Sequence, residues 1–252
     1  MESTKPIWIQ LCGPFAIELA GGRIEGNLPA RQGRLLFAYL TIHRDRLIDR
    51  DELLEALWGE QLPPAPGSAL SALLSKIRGV FGPDVVQGRK QIRLELPPGS
   101  WVDVEAAGDA IHRAESGVAA QAWDRAYPAA LIARVISTRR FLAGFDGIWI
   151  DEWRRRMFDI LVRALECSAA SLLQFGGGEE VLAGRTAREL IERAPYRESG
   201  YRFLMQALTA QGNVAEALRV YEQLRITLRD ELGVGPGQDI QDLHVGLLRS
   251  ST

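Results

Sequence analysis

The sequence predicts a mainly α-helical protein with a small β component, in which an N-terminal winged helix precedes an all-α domain of tetratricopeptide-like helical repeats. Three observations support this fold class. The N-terminal part of the chain reads as strands, three helices and a hairpin; strand signals disappear after about Val104; and the later helices repeat with a period of 34 residues. We therefore expect a winged-helix domain over residues 1–103 and a helical domain over residues 104–252.

The first segment of the chain has a sequence typical of β-strands. The segment IWIQLCGPFAIELAGG is rich in β-branched and aromatic residues, is broken by a Gly-Pro pair and ends at a Gly-Gly pair, which is typical of short antiparallel strands. From Pro29 the apolar period becomes helical. The residues that would share the buried face of this first helix are Leu35, Leu36, Tyr39 and Leu40.

A second helix is predicted in IDRDELLEALWG, where Asp49 can act as the N-cap and Glu52 can complete a capping box. Its predicted buried residues are Leu53, Leu54, Leu57 and Trp58. The prolines of QLPPAPG end this helix, and ALSALLSKIRGVFG predicts a third. The text VVQGRKQIRLELPPGSWVDV then alternates around Gly88 as a β-hairpin does. Strands, three helices and a hairpin in this order are the layout of a winged helix.

The helical text after about Val104 contains an internal repeat. Pairs of small or apolar residues superimpose at an offset of 34, the period of a tetratricopeptide repeat. The superimposed pairs are Gly178 and Gly212, Ala183 and Ala217, and Leu190 and Leu224. The predicted helix pairs are 154–175 with 179–193 and 197–211 with 214–232, followed by a last helix over 237–249. Such stacks usually bind partners, because their repeats display a concave surface.

Composition and charge narrow the choice of function. The chain is 46% hydrophobic and 25% charged, with a net charge of −2, as in ordinary globular proteins. Residues 1–105 carry 12 Lys and Arg against 13 Asp and Glu, so any affinity for nucleic acid must come from a local basic patch. The two distant cysteines are expected to be reduced, buried thiols. Without an apolar run of signal-peptide or membrane-span length, the protein is expected to be cytoplasmic.

The motifs of catalysis and metal binding do not occur in the sequence. The three histidines show no HExxH or paired Cys/His spacing, and there is no G-x-S-x-G. The run Gly176–Gly178 is followed by two glutamates, which would repel phosphate, so we interpret it as a turn between helices. We therefore expect no catalytic residue, metal site or cofactor, the alternative being an active site assembled from distant segments.

The predicted third helix has a second side that is neither apolar nor strongly charged. In a winged helix this element enters the major groove, and the first helix and the hairpin lie beside it. Small residues would let its backbone approach base edges, while cations would reach phosphates or guanine. A solvated helix of low charge is the alternative. The predicted DNA-binding residues are Arg31, Arg34, Ser68, Ser71, Ala72, Ser75, Lys76, Arg78, Arg89, Lys90 and Arg93.

Two long segments resemble a known family. LPARQGRLLFAYLTIHRDRLIDRDELLEALWGE, with the helix ending in SKIRGVFG, resembles the response-regulator-type winged helix of the Streptomyces antibiotic regulatory protein (SARP) family. APYRESGYRFLMQALTAQGNVAEALRVYEQLRITLRDELGVGPGQDIQDLH is similar to the bacterial transcriptional activator domain that follows it in that family. Together the two segments extend over nearly the whole chain. The resemblance implies a transcriptional activator that binds promoter direct repeats as two protomers side by side and contacts RNA polymerase.

Individual residues of the predicted third helix also resemble those of the family. Ser75, Lys76 and Arg78 match the family's serine and basic pair in the recognition helix. Gly67 and Gly79 stand where members often have further arginines, and Leu73 stands at an often aromatic position. Because each lost phosphate contact lowers the salt slope by about 0.9, DNA binding is expected to be weaker, or more dependent on an effector, than in a typical member.

A dense cluster of tryptophan and arginine precedes the predicted repeats. Its members are Trp149, Trp153, Arg154, Arg155 and Arg156. One hypothesis is structural, with the tryptophans anchoring the packing between domains and the arginines solvated. The other is that the cluster faces polymerase or a bound anionic effector, because Trp and Arg are enriched at interaction hot spots.

Two functions follow from these patterns. The first is a DNA-binding transcription factor without catalytic activity. Its expected partners are double-stranded DNA, RNA polymerase and a second copy of the chain, at least on DNA, with no membrane partner and a small-molecule effector as an additional alternative. The second is an interaction or ligand-sensing scaffold that no longer binds DNA and regulates a partner protein, which the near-neutral charge of residues 1–105 favours.

Overall fold

A computed structural model describes residues 5–250 and confirms the predicted fold class, mainly helical with two small sheets. The strands are β1 Ile7–Gln10, β2 Ala16–Leu19, β3 Gly22–Arg23, β4 Ile48–Asp49, β5 Val86–Gln87, β6 Gln91–Leu94 and β7 Trp101–Val102. The helices are α1 Ala30–Ile42, α2 Arg50–Trp58, α3 Pro66–Phe81, α4 Asp103–Ala119, α5 Trp123–Ser137, α6 Ile148–Phe175, α7 Glu180–Arg193, α8 Glu198–Ala210, α9 Val214–Leu232 and α10 Gln238–Ser250. A short 3₁₀ helix covers Glu25–Asn27.

The chain forms two compact units that are not divided at a single point in the sequence. The N-terminal unit consists of the chain up to Ala106 together with Arg139–Met157, and the C-terminal unit of Ala107–Thr138 together with the chain from Phe158 onward. Backbone hydrogen bonds tie the returning segment to the end of β1, from Gly13 N to Arg140 O (2.9 Å) and from Leu142 N to Leu11 O (2.8 Å). The domain boundary after residue 103 stays a prediction.

The core of the N-terminal unit is built around α1. The sequence predicts one apolar face on this helix, yet the whole stretch from Leu35 to Thr41 is buried. Helices α2 and α3 and strand β6 all pack on α1, which leaves it little contact with water. Phe37 stacks on Phe81 of α3 with ring centroids 4.5 Å apart. A four-stranded sheet of order β3-β2-β1-β7 completes the unit, with β1 antiparallel to β2, as predicted, and parallel to β7.

The predicted capping box at the start of α2 is wrong. Asp49 is the N-cap residue, but within residues 5–250 its side chain makes no cap hydrogen bond. Glu52 instead accepts a hydrogen bond from the Tyr39 hydroxyl (2.7 Å) and pairs with Arg46. The hydrogen bond from Arg46 is the main cause that lowers the pKa of Glu52. A charged and a phenolic donor together hold this carboxylate more strongly than one backbone N–H would.

The predicted hairpin is confirmed. Strands β5 and β6 pair antiparallel, with Val86 opposite Leu94, and β6 also pairs with β4. Ile92 and Leu94 are buried while Arg93 is exposed, which is the predicted alternation. The turn requires glycine, because Gly88 has a φ of +89° and a Cβ there would lie 1.9 Å from the carbonyl oxygen of Gln91.

The C-terminal unit confirms the 34-residue repeat. Gly178 and Gly212 both lie in turns with positive φ, at +105° and +79°, immediately before α7 and α9. The other superimposed positions, Ala183, Ala217, Leu190 and Leu224, are fully buried. Helices α7 and α9 each pack on α8, and α10 packs on both α8 and α9. The one clear difference is that α6 begins at Ile148 rather than near 154, so that Trp149 and Trp153 lie on its first turns.

Both cysteines are buried free thiols, as predicted, and burial raises the pKa of Cys167 to about 12. Across the described part of the chain, no helix is both long and apolar enough to cross a membrane.

Candidate DNA-binding surface

Helix α3 presents one side to the core and the other to solvent. Pro66 stands in its first turn, where a missing N–H is tolerated, and Gly82 ends it with a φ of +93°. The leucine stripe is buried as predicted, with Leu73 only half-buried. The fully buried members are Leu70, Leu74, Ile77 and Phe81. This stripe anchors the helix and leaves the opposite side outward.

The outward side of α3 consists of small residues with Lys76 among them. Ser68, Ser71, Ala72, Ser75 and Lys76 are all exposed. The Ser71 hydroxyl donates to the carbonyl of Gly67 (2.7 Å), which turns this side chain back onto the helix. Small side chains along one side of an exposed helix permit close approach of its backbone to another surface.

Arg78 is turned toward the hairpin rather than outward. Its Nε donates to the carbonyl of Val86 (2.8 Å) and its Nη2 to the carbonyl of Gly88 (2.6 Å). These bonds connect the C-terminal half of α3 to the end of β5 and to the turn that follows it. The arrangement favours a structural role, and the predicted DNA contact of Arg78 stays a prediction.

Arg50 is a residue of this surface that the sequence did not reveal. Its Nη2 donates to the Ser71 hydroxyl (2.7 Å) and to the carbonyl of Gly67 (3.1 Å), and its Nη1 to the carbonyl of Arg89 (3.3 Å). One side chain at the start of α2 therefore connects the N-terminal turns of α3 with the hairpin turn. Its position directly after the N-cap is the only signal in the sequence, and that position does not indicate partners so distant along the chain.

The hairpin carries the exposed cations that accompany α3. Arg89, Lys90 and Arg93 are exposed, and in the described residues their side chains make no hydrogen bond or ion pair. The same holds for Lys76. Arg50 and Arg78 fix the hairpin turn beside α3, so the structure brings three of the predicted hairpin residues next to the predicted recognition helix.

Arg31 and Arg34 on α1 have other surroundings. The Arg31 Nη1 donates to the carbonyl of Gly144 (2.7 Å), and its guanidinium lies 4.9 Å from the centroid of the Phe145 ring. The Nε of Arg34 is buried and, among the described residues, has no hydrogen-bond partner. These contacts link Arg31 to the returning segment rather than to α3, and its DNA contact stays a prediction.

The tryptophan and arginine cluster is largely packed into the N-terminal unit. The Trp149 indole N–H donates to the carbonyl of Ala56 (3.0 Å), and Trp153 stacks on Phe141 at 5.6 Å. Arg155 and Arg156 are both exposed, and the guanidinium of Arg156 lies over the Trp153 ring at 5.2 Å.

Arg154 is the most constrained arginine of this cluster. Its side chain is 17% exposed, and it donates to the carbonyls of Phe141 (3.3 Å), Leu142 (3.4 Å) and Phe145 (2.6 Å). These contacts give Arg154 a structural role, but not the solvated position that the structural hypothesis predicted for it. A partner for the cluster stays a prediction.

The sequence matches one known protein family and is similar to known regulatory proteins. The family model of the bacterial transcriptional activator domain matches residues 102–248. Regulatory protein AfsR of Streptomyces coelicolor is 33% identical over 99% of this chain, which spans 25% of AfsR. Transcriptional regulatory protein EmbR of Mycobacterium tuberculosis is 27% identical over 95% of this chain, which spans 62% of EmbR.

A solved structure shares the fold. The structure of Mycobacterium tuberculosis EmbR in complex with a low affinity phosphopeptide superimposes with a TM-score of 0.85 at 22% identity, over 99% of this chain and 66% of that one. The arrangement of strands and helices in both units is therefore one already observed in an experimental structure.

Proposed function

The chain belongs to the SARP family of transcriptional regulators, and we propose that it is an activator that binds promoter DNA through α3 and the hairpin and contacts RNA polymerase. The observation that carries this proposal is the outward side of α3. It is lined by small residues, is held by a buried leucine stripe, and lies beside a hairpin with three exposed cations.

Helix α3 and the hairpin would have different roles on DNA. Helix α3 would enter the major groove, where Ser68, Ala72 and Ser75 permit close approach to base edges. Lys76 and the hairpin cations would contact phosphates, which position the protein without reading the sequence. Arg50 and Arg78 would keep the hairpin at a fixed distance from α3, so that both elements meet the duplex in one orientation.

The partners follow from the family rather than from geometry. We expect two protomers side by side on direct repeats, in the cytoplasm, with the helical repeats of the C-terminal unit serving dimerisation and recruitment of polymerase. Because this chain spans 25% of AfsR, the activities of the longer relatives are part of the proposal only where residues of this chain would perform them.

Salt dependence of DNA binding tests the proposal. With four exposed cations on phosphates, Lys76, Arg89, Lys90 and Arg93, the logarithm of the affinity should fall against the logarithm of salt with a slope of about −3.6 per protomer. Between about 50 mM and about 200 mM salt this is a loss of about a hundredfold. Fluorescence anisotropy of the purified chain on its own upstream region measures the slope. The control variant is Arg113→Ala, which removes one exposed positive charge of α4, away from the proposed surface, and should leave the slope unchanged.

A scaffold that has lost DNA binding is the second candidate. The near balance of charge in residues 1–105, 12 cations against 13 anions, favours it, as does the commitment of Arg31 and Arg78 to carbonyl oxygens. Binding that is absent or insensitive to salt, on footprints of all neighbouring promoters, would support the scaffold and contradict the activator.

A further inference from the structure

A concave feature of the N-terminal unit lies outside the candidate DNA-binding surface. It is formed by residues 52–60 of α2 and the turn after it, by residues 146–152 at the start of α6, and by Tyr39 of α1. We call it the α2–α6 cleft. Its volume is about 710 Å³, within the range of small-molecule sites.

Aromatic rings form part of the wall of the α2–α6 cleft. Trp149 is fixed by the hydrogen bond from its indole N–H to the carbonyl of Ala56 and by edge-to-face packing on Tyr39, with ring centroids 5.1 Å apart. Trp58 lines the cleft as well. Because Trp149 is already held in place by the protein, this wall does not have to form when a ligand arrives. The faces of Trp and Tyr rings attract cations.

The charged lining of the α2–α6 cleft is of one sign. Its charged residues are Glu52, Glu55, Glu60, Asp146 and Glu152, and among the described residues no lysine, arginine or histidine lines it. Glu52 pairs with Arg46, and Asp146 lies 3.6 Å from Arg154. Glu55, Glu60 and Glu152 make no ion pair within residues 5–250. The cleft therefore repels anions and attracts cations.

The same lining offers an apolar contact. Ile148, at the first position of α6, is 83% exposed. Its side chain lines the cleft. A ligand with an alkyl part beside its charged group would cover it, and such burial is favourable.

We propose that the α2–α6 cleft binds a small organic cation of the alkylammonium class. The nitrogen would lie against the aromatic faces and the unpaired carboxylates, and the alkyl part would cover Ile148. The volume of about 710 Å³ matches a small molecule, and binding of a basic peptide in its place is an outcome of the test. The sequence suggested polymerase or an anionic effector for the tryptophan and arginine cluster, and that prediction is separate, because only Trp149 of the cluster lines the cleft.

Calorimetric titration of the purified full chain tests this site. The probes are tetraethylammonium chloride and 1,4-diaminobutane, each against sodium chloride of matched ionic strength. We expect binding of at least one cation with a one-to-one stoichiometry. The double variant Glu55→Gln with Glu152→Gln should weaken that binding by about tenfold, because two unpaired carboxylates of the lining are neutralised. Trp58→Leu should weaken it to a similar extent by removing an aromatic face.

A matched control separates the cleft from bulk charge. The double variant Asp84→Asn with Asp109→Asn removes two exposed carboxylates outside the cleft and should leave binding unchanged. Equal weakening in both double variants, or no heat with either cation, would overturn the proposal. So would an oligolysine peptide that binds where both small cations do not, since the cleft would then be a protein-docking site.

Discussion

Two groups of cations in the N-terminal unit look alike in the sequence and differ in the structure. Arg31, Arg78 and Arg154 donate to backbone carbonyls of other segments, and we call them the tied arginines. Lys76, Arg89, Lys90 and Arg93 have exposed side chains without such bonds in the part of the chain that the structure describes, and we call them the unpaired cations. Both groups were predicted to act in binding. The structure separates a group that supports the fold from one that is available to a ligand.

The difference teaches that counting the cations in a sequence overestimates how many of them are available to bind a ligand. A guanidinium carries five donors in a planar fork and can satisfy two or three carbonyls at once, which makes arginine useful inside a fold as well as on DNA. The unpaired cations have every donor available to phosphate, whereas part of each tied arginine's donor set is already used within the fold. The comparison therefore predicts opposite patterns of stability and DNA affinity for the two groups.

The largest effect is expected at Arg154. Arg154→Ala leaves the carbonyls of Phe141, Leu142 and Phe145 without a charged donor, and we expect the free energy of unfolding to fall by about 2–4 kcal/mol. Urea denaturation of the full chain measures the change. Arg155→Ala, at the exposed neighbouring position, is the control and should stay within about 0.5 kcal/mol of the parent. Equal stability of the two variants would remove Arg154 from the tied arginines.

The second-largest effect on stability is expected at Arg78, a tied arginine whose replacement should also change DNA affinity. Arg78→Ala should lower the free energy of unfolding by about 1–2 kcal/mol, because the carbonyls of Val86 and Gly88 lose their donor. DNA affinity should also fall as the hairpin loses its attachment to α3. Arg78→Lys distinguishes the causes: it keeps the charge and loses the fork, so stability should fall with it. A lysine variant as stable as the parent would show that the carbonyl contacts contribute little.

The pairing of Glu52 predicts a dependence on pH. Its pKa is lowered in the folded protein, so its contribution is present above the unfolded pKa of about 4.3 and is lost as pH falls through the lower, folded value. Glu52→Gln should therefore destabilise the protein by about 1 kcal/mol at pH 7, a figure discounted for the partial exposure of the pair with Arg46. The gap between variant and parent in thermal unfolding should close toward pH 3. A gap that stays constant from neutral to acidic pH would contradict the assignment.

The smallest effect on stability is expected for the unpaired cations. Lys76→Ala should change the free energy of unfolding by less than about 0.5 kcal/mol, because Lys76 is exposed and makes no side-chain bond among the described residues. Its DNA affinity should fall, and the magnitude of the salt slope should drop by about 0.9. Anisotropy titrations at several salt concentrations provide this value. An unchanged slope would place Lys76 outside the interface.

The sequence by itself determined whatever depends on neighbours along the chain. The leucine stripe of α3, the alternation of Ile92 and Leu94, and the 34-residue repeat are periodic patterns, and the faces that they predict are the faces that are buried. Burial of apolar surface dominates folding and acts on every residue of a face, so a period is enough to identify it.

Only the tertiary structure decided which polar side chains form hydrogen bonds or ion pairs within the fold. Arg31 reaches Gly144, 113 residues away, and Glu52 leaves its expected helix cap for Arg46 and Tyr39. The full burial of α1 and the return of residues 139–157 to the N-terminal unit belong to the same class of facts. A hydrogen bond depends on one donor and one acceptor meeting at about 3 Å, and no period along the chain encodes where two distant segments meet.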